Sequence, residues 1–197
     1  MRFYDLPGHG SRMNEPLCQE FNTVLQDAYQ WTLTEITEAP FVIFGHSLGS
    51  LIGWEVVQEL VKNDNRLPQK FIASGHSGPS IVSKRKNLHS LPTKEFFNEL
   101  RALGGLSEAF FEDPRLMELF EPILRADFSV VSSYQHPAPR PASIPITFLC
   151  GDKENLSNKD IAAWKAESLS GFSSNSYTGG HFYIYEHWQA IASILVS

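Results

Sequence analysis

A serine on a sharp turn and a histidine behind two glycines are the groups in this chain whose types and spacing could make and break acyl bonds. Ser47 lies within Gly45-His46-Ser47-Leu48-Gly49, and His181 follows Gly179-Gly180 near the C-terminus. A serine hydroxyl is a poor nucleophile at neutral pH, but an imidazole that takes its proton and later returns it to the leaving group makes it competent. The Gly-x-Ser-x-Gly spacing fits a strand-to-helix turn that holds the serine at a strained backbone angle with its Oγ in open space. Glycine is expected at 45 and 49 because a Cβ at either place would crowd the neighbouring strand or helix. The same turn puts the Leu48 backbone N–H at a helix N-terminus, where it can donate to a developing oxyanion.

Such a turn works only where a strand and a helix hold it. Phe41-Val42-Ile43-Phe44 is a short apolar run with β-branched residues, the pattern of a buried strand. Leu51, Ile52, Val56, Val57 and Leu60 then recur on one face of a helix. With His181 far downstream, the chain has the serine, acid, histidine order of an α/β-hydrolase.

The remaining elements can be placed around that unit. Arg2 to Leu6 reads as a strand and Pro7 to Arg12 as a Gly-rich loop, opening the chain partway through what an α/β-hydrolase contains, so an upstream segment is expected. Leu17 to Glu38 reads as a helix stopped by Pro40, and Lys70 to Gly75 as the next parallel strand. From about 80 to 139 no strand is expected. Glu95 to Leu103, Leu106 to Phe111 and Leu116 to Tyr134 read as helices interrupted by Gly104-Gly105 and Pro114, an inserted helical lid. Ile144 to Cys150 resumes the sheet, Lys159 to Leu169 is a helix, Phe172 to Tyr177 a last strand and Phe182 to Val196 a closing helix. The expected architecture is α/β: a mostly parallel sheet flanked by helices, in one domain across 1–197.

Composition narrows the function classes. With 42% hydrophobic residues in 197, the chain can bury a sizeable core. A net charge of −6 argues against nucleic-acid binding, which needs a basic face. No stretch approaches the roughly 18 apolar residues of a membrane span, so a cytoplasmic protein is expected. Cys18 and Cys150 show no metal-ligand spacing and read as free thiols. The loop at Pro7 to Arg12 lacks phosphate-binding spacing, and no metal, nucleotide or flavin cofactor is implied.

Several motifs together resemble one family. Pro7-Gly8-x-Gly10-Ser11-Arg12, Phe44-Gly45-His46-Ser47-Leu48-Gly49, Leu103-Gly104-Gly105, Leu124-Arg125-Ala126-Asp127-Phe128, Gly151-Asp152 leading to Ala163-Trp164, and Gly179-Gly180-His181-Phe182 look like those of the type II thioesterases. Those stand-alone proteins accompany nonribosomal peptide and polyketide synthases in secondary-metabolite biosynthesis and hydrolyse acyl groups from carrier-protein phosphopantetheine arms.

The resemblance implies Ser47 as nucleophile and His181 as general base; His46, on the elbow, is expected to point elsewhere. Counting three residues on from Gly151 puts Glu154 at the family's acid position, with Asp152 as the competing carboxylate. The oxyanion hole would use the Leu48 N–H, and the family's second donor would lie in a segment before Met1. Acyl or peptidyl carrier domains are the implied partners of an expected monomer, and Lys84-Arg85-Lys86 is a candidate docking contact for an acidic carrier. Two other readings stay open: a carboxylesterase of small substrates, and a catalytically weak module that only binds carriers.

Overall fold

Runs of five or six residues, too short to bury themselves, are arranged here as one parallel sheet covered by helices. A computed structural model describes residues 1–82, 87–135 and 137–196. The Lys84-Arg85-Lys86 cluster therefore lies outside the described residues. The strands are β1 (Val42–His46), β2 (Lys70–Ser74), β3 (Ile146–Gly151) and β4 (Phe172–Tyr177). The helices are α1 (Phe21–Glu35), α2 (Leu48–Lys62), α3 (Thr93–Leu103), α4 (Glu108–Glu112), α5 (Pro114–Ser133), α6 (Asn158–Lys165) and α7 (Trp188–Val196). The chain divides into two compact units, Met1–Trp31 with Val82–Gln135, and Thr32–Ile81 with His136–Ser197.

The second unit holds the sheet, ordered β1-β2-β3-β4 with every pair parallel. Side chains along a strand alternate between faces, so each strand feeds two cores. Phe71, Ala73, Ile146, Phe148 and Cys150 pack on one side with Trp54 and Val57 of α2 and Trp164 of α6. Ile72 and Leu149 pack on the other with Tyr183 and Ile191. Helices on both faces and near-continuous apolar runs in β2 and β3 are what a parallel sheet requires. The outer strand β4 exposes Ser173, Ser174, Asn175 and Ser176, a polar edge that discourages pairing with another chain.

The first unit has its own core of Leu88, Phe96, Phe97, Leu100 and Phe110. Pro114, expected as an interruption, opens α5: Asp113 caps it by accepting the Arg115 N–H, and proline at the first helical position forfeits an N–H that would have had no partner. The expected strand over 2–6 is absent. Those residues join no ladder, and a strand without a neighbour gains nothing from extending. Tyr4 instead donates its hydroxyl to Asp27, which also pairs with Arg12.

The expected closing helix from Phe182 breaks in two. A single 3-10 turn at Tyr183–Tyr185 precedes α7, with the His187 ring bonded to Thr178 between them. This bend lets Tyr183 reach into the sheet. Cys18 and Cys150 are both free thiols. Among the described residues no helix is long and apolar enough to cross a membrane.

Candidate active site

Ser47 joins β1 to α2 in a backbone conformation that few non-glycine residues adopt, φ 55° and ψ −122°. Such a residue costs about 1–3 kcal/mol and persists only where its surroundings hold it. The holding groups are identifiable. The Ser47 N–H donates to Ser74 O at 2.8 Å. The fully buried Ser50 Oγ lies 2.8 Å from both Gly45 O and Ser74 O and accepts the Ser74 N–H at 2.9 Å. The elbow is thus clamped to the end of β2.

The two elbow glycines differ. A Cβ on Gly45 would fall 2.0 Å from Gly49 O, so only glycine fits. The expectation for Gly49 is not met: a Cβ there would meet nothing within 4 Å outside its own helix. Leu48 is the first residue of α2, and a first-turn N–H has no acceptor within its helix, which leaves it free to donate outward.

The other half of the site comes from the loops after β3 and β4, which touch backbone to backbone. A Cβ on Gly151 would lie 2.4 Å from Gly180 O and 2.5 Å from Gly179 O. That approach places the Glu154 Oε1 2.7 Å from His181 Nδ1. The other Glu154 oxygen accepts the Gly151 N–H at 2.8 Å. The extra methylene of glutamate is taken up by a tight turn in which the Glu154 N–H donates to Gly151 O.

Asp152 has a different task. Its Oδ1 accepts the Gly179 N–H at 2.9 Å and staples the two loops together. Of the two competing carboxylates, Glu154 meets the histidine. Its side chain and that of His181 are 6% and 9% exposed, so water competes little for their bond. A carboxylate on Nδ1 fixes the tautomer that leaves Nε2 as the proton acceptor.

His46 does not point elsewhere. Its ring centroid lies 4.9 Å from that of His181, tilted by 38°. Its Nδ1 lies 2.8 Å from Ser74 Oγ, which in turn lies 2.6 Å from the Tyr183 hydroxyl. Burial, with repulsion from His181 and His76 in their charged forms, pushes the His46 pKa down to about 3, so the ring is neutral at ordinary pH. Ser74 and Tyr183 escaped sequence reasoning because their role depends on strand register, which pairs His46 with Ser74. The adjacency of Tyr183 to the Gly-Gly-His turn was the available signal.

A serine on a strained turn and a histidine paired with a buried carboxylate are the groups that acyl transfer uses, and comparison with known proteins gives the family. A family model described as a thioesterase domain matches residues 1–197. The chain belongs to that family. This thioesterase is 36% identical to the gramicidin S biosynthesis protein GrsT of Aneurinibacillus migulanus, over 92% of this chain and 71% of that one. It is 29% identical to the thioesterase PikA5 of Streptomyces venezuelae, spanning 95% of this chain and 66% of the relative. Among solved structures, ClbQ from the colibactin NRPS/PKS pathway superposes with a TM-score of 0.88 at 28% identity, covering 96% of this chain and 81% of that one. The type II thioesterase YbtT from the yersiniabactin NRPS/PKS pathway gives 0.85 at 26%, covering 97% and 78%. These neighbours support the α/β-hydrolase fold for the thioesterase.

Proposed function

We propose that this thioesterase is an editing, type II enzyme that hydrolyses acyl thioesters from the phosphopantetheine arms of acyl or peptidyl carrier domains. Ser47 Oγ attacks the thioester carbonyl while His181 Nε2 takes its proton. Glu154 holds the ring and offsets the charge on the imidazolium. The carbonyl oxygen, now negative, is met by the Leu48 N–H. Collapse of the tetrahedral adduct breaks the C–S bond, and His181 returns its proton to the departing thiolate. A water molecule, deprotonated by the same imidazole, then attacks the acyl-Ser47 ester; its collapse frees the carboxylic acid and restores the serine.

The observation that carries this reading is the buried Glu154 to His181 bond, in a ring packed beside the residue that precedes Ser47 on its strained turn. Relatives named for gramicidin S biosynthesis and for the yersiniabactin NRPS/PKS pathway favour carrier-bound substrates. Serine, imidazole and water complete this mechanism, so it calls for no cofactor. The test compares pantetheine thioesters with matched oxygen esters carrying the same acyl group. Faster turnover of the thioester, and faster still of the carrier-bound form, is expected. Preference for the oxygen ester would favour the carboxylesterase reading, and lack of turnover on all three the binding module.

A further inference from the structure

His46 has no part in those steps, yet it is built into the same corner. Its Nδ1 is joined to Ser74 Oγ, and Ser74 to the hydroxyl of Tyr183, two residues after His181. Three polar groups, two of them almost completely buried, therefore tie the end of β1 through β2 to the turn that presents His181. The two imidazoles also share one bare stretch of backbone. A Cβ on Gly75, whose φ is +66°, would come within 2.8 Å of His46 Cε1 and 3.2 Å of His181 Cε1. Glu154 grips His181 at one edge, and a single hydrogen bond fixes a point rather than a plane. The His46 ring, 4.9 Å away across the gap, supplies the second constraint.

The corner is not optimised for stability. His46 Nε2 is buried with no hydrogen-bond partner among the described residues, and an unsatisfied buried nitrogen is a cost that an apolar side chain of similar shape avoids. We propose that His46 is a positioning residue for the thioesterase reaction: its imidazole, anchored through Ser74 to Tyr183, holds the plane of the His181 ring and keeps water off the face on which the imidazolium forms. The inference rests on the assignment of Ser47 and His181 above. The titratable groups facing His46 are His181 and Tyr183 from the loop after β4 and His76 from the segment after β2. The His46 ring stays neutral while His181 gains and loses its proton, so it adds no repulsion at the moment the imidazolium appears.

Four variants, assayed on a small pantetheine thioester and normalised by fluorophosphonate titration of Ser47, test this. His46→Leu fills the space without the hydrogen bond; kcat falls about 10- to 100-fold with KM nearly unchanged, the penalty for a misplaced catalytic group. His46→Asn, whose amide reaches the Nδ1 position, recovers most of that loss. His46→Ala opens the ring face to water, stabilises the imidazolium, and moves the acid limb of the kcat/KM profile to higher pH. Tyr183→Phe, which cuts the chain at its far end and leaves His46 in place, lowers kcat severalfold and stands in for any His46 variant that does not fold. A role in folding alone would lower the titratable fraction while leaving kcat per labelled serine and the acid limb unmoved in all four, and that result overturns the proposal. Failure of wild-type Ser47 to label would instead overturn the assignment of the nucleophile.

Discussion

Glutamine at position 154 gives the sharpest consequence of the site geometry. In the native site one Glu154 oxygen accepts from His181 Nδ1 and the other from the Gly151 N–H. A glutamine has one acceptor oxygen, and the Gly151 amide, which can only donate, claims it. The new NH2 then faces His181 Nδ1, which must accept, so the ring proton moves to Nε2 and the imidazole can no longer take the serine proton. The same tautomer error costs about 10⁴ in kcat in a Ser-His-Asp triad, or about 5 kcal/mol of barrier at about 1.36 kcal/mol per decade. Folding should change by only about 1 kcal/mol, because one neutral hydrogen bond replaces a charged one. Asp152→Asn keeps an oxygen for the Gly179 N–H and should stay within about threefold of wild type, as substitutions that preserve local bonding do. The assay is thiol release from a pantetheine thioester, with circular dichroism to confirm folding. Glu154→Gln within tenfold of wild type, or Asp152→Asn equally crippled, would refute the assignment of the acid.

The two elbow glycines should respond in opposite ways. Gly45→Ala drives a methyl into the Gly49 carbonyl and should cost upwards of about 3 kcal/mol by urea unfolding, whereas Gly49→Ala should be neutral or stabilising by up to about 1 kcal/mol, as alanine is inside a helix. Equal effects would show that the turn is not packed as described. In the first unit, the hydrogen bond that His9 Nε2 donates to the Asp127 carboxylate raises the His9 pKa above its usual value. A raised histidine contributes stability that is fully present below about pH 6.5 and lost as pH climbs through the raised value. Asp127→Asn should therefore lower Tm more at pH 5.5 than at pH 9, and a pH-independent difference would contradict the pairing.

What the sequence discloses here is what is local. The elbow is legible because strand, turn and helix lie within one stretch from Phe41 to Leu60, and the strand expected over Phe172 to Tyr177 is found at those residues. Pro114 misleads because proline marks a helix start as readily as a stop, and only the Asp113 cap tells which. The 2–6 segment misleads because β-propensity cannot reveal whether a partner strand lies alongside. The acid required the count that the thioesterase resemblance provides: that count favours Glu154, and Asp152 stays a competitor until the loops are seen to meet at Gly151 and Gly179. The place of His46 is hidden from the sequence for a similar reason: its neighbours come from β2 and from the loop after β4, 28 residues away at Ser74 and 109 residues beyond that at Tyr183.

The account stands or falls on Ser47 carrying the acyl group. Intact-protein mass spectrometry after rapid mixing with an acyl-carrier thioester should detect an adduct of the acyl mass, located to the peptide containing Ser47 and absent from Ser47→Ala. An adduct that persists in Ser47→Ala, or full turnover by that variant, would contradict it.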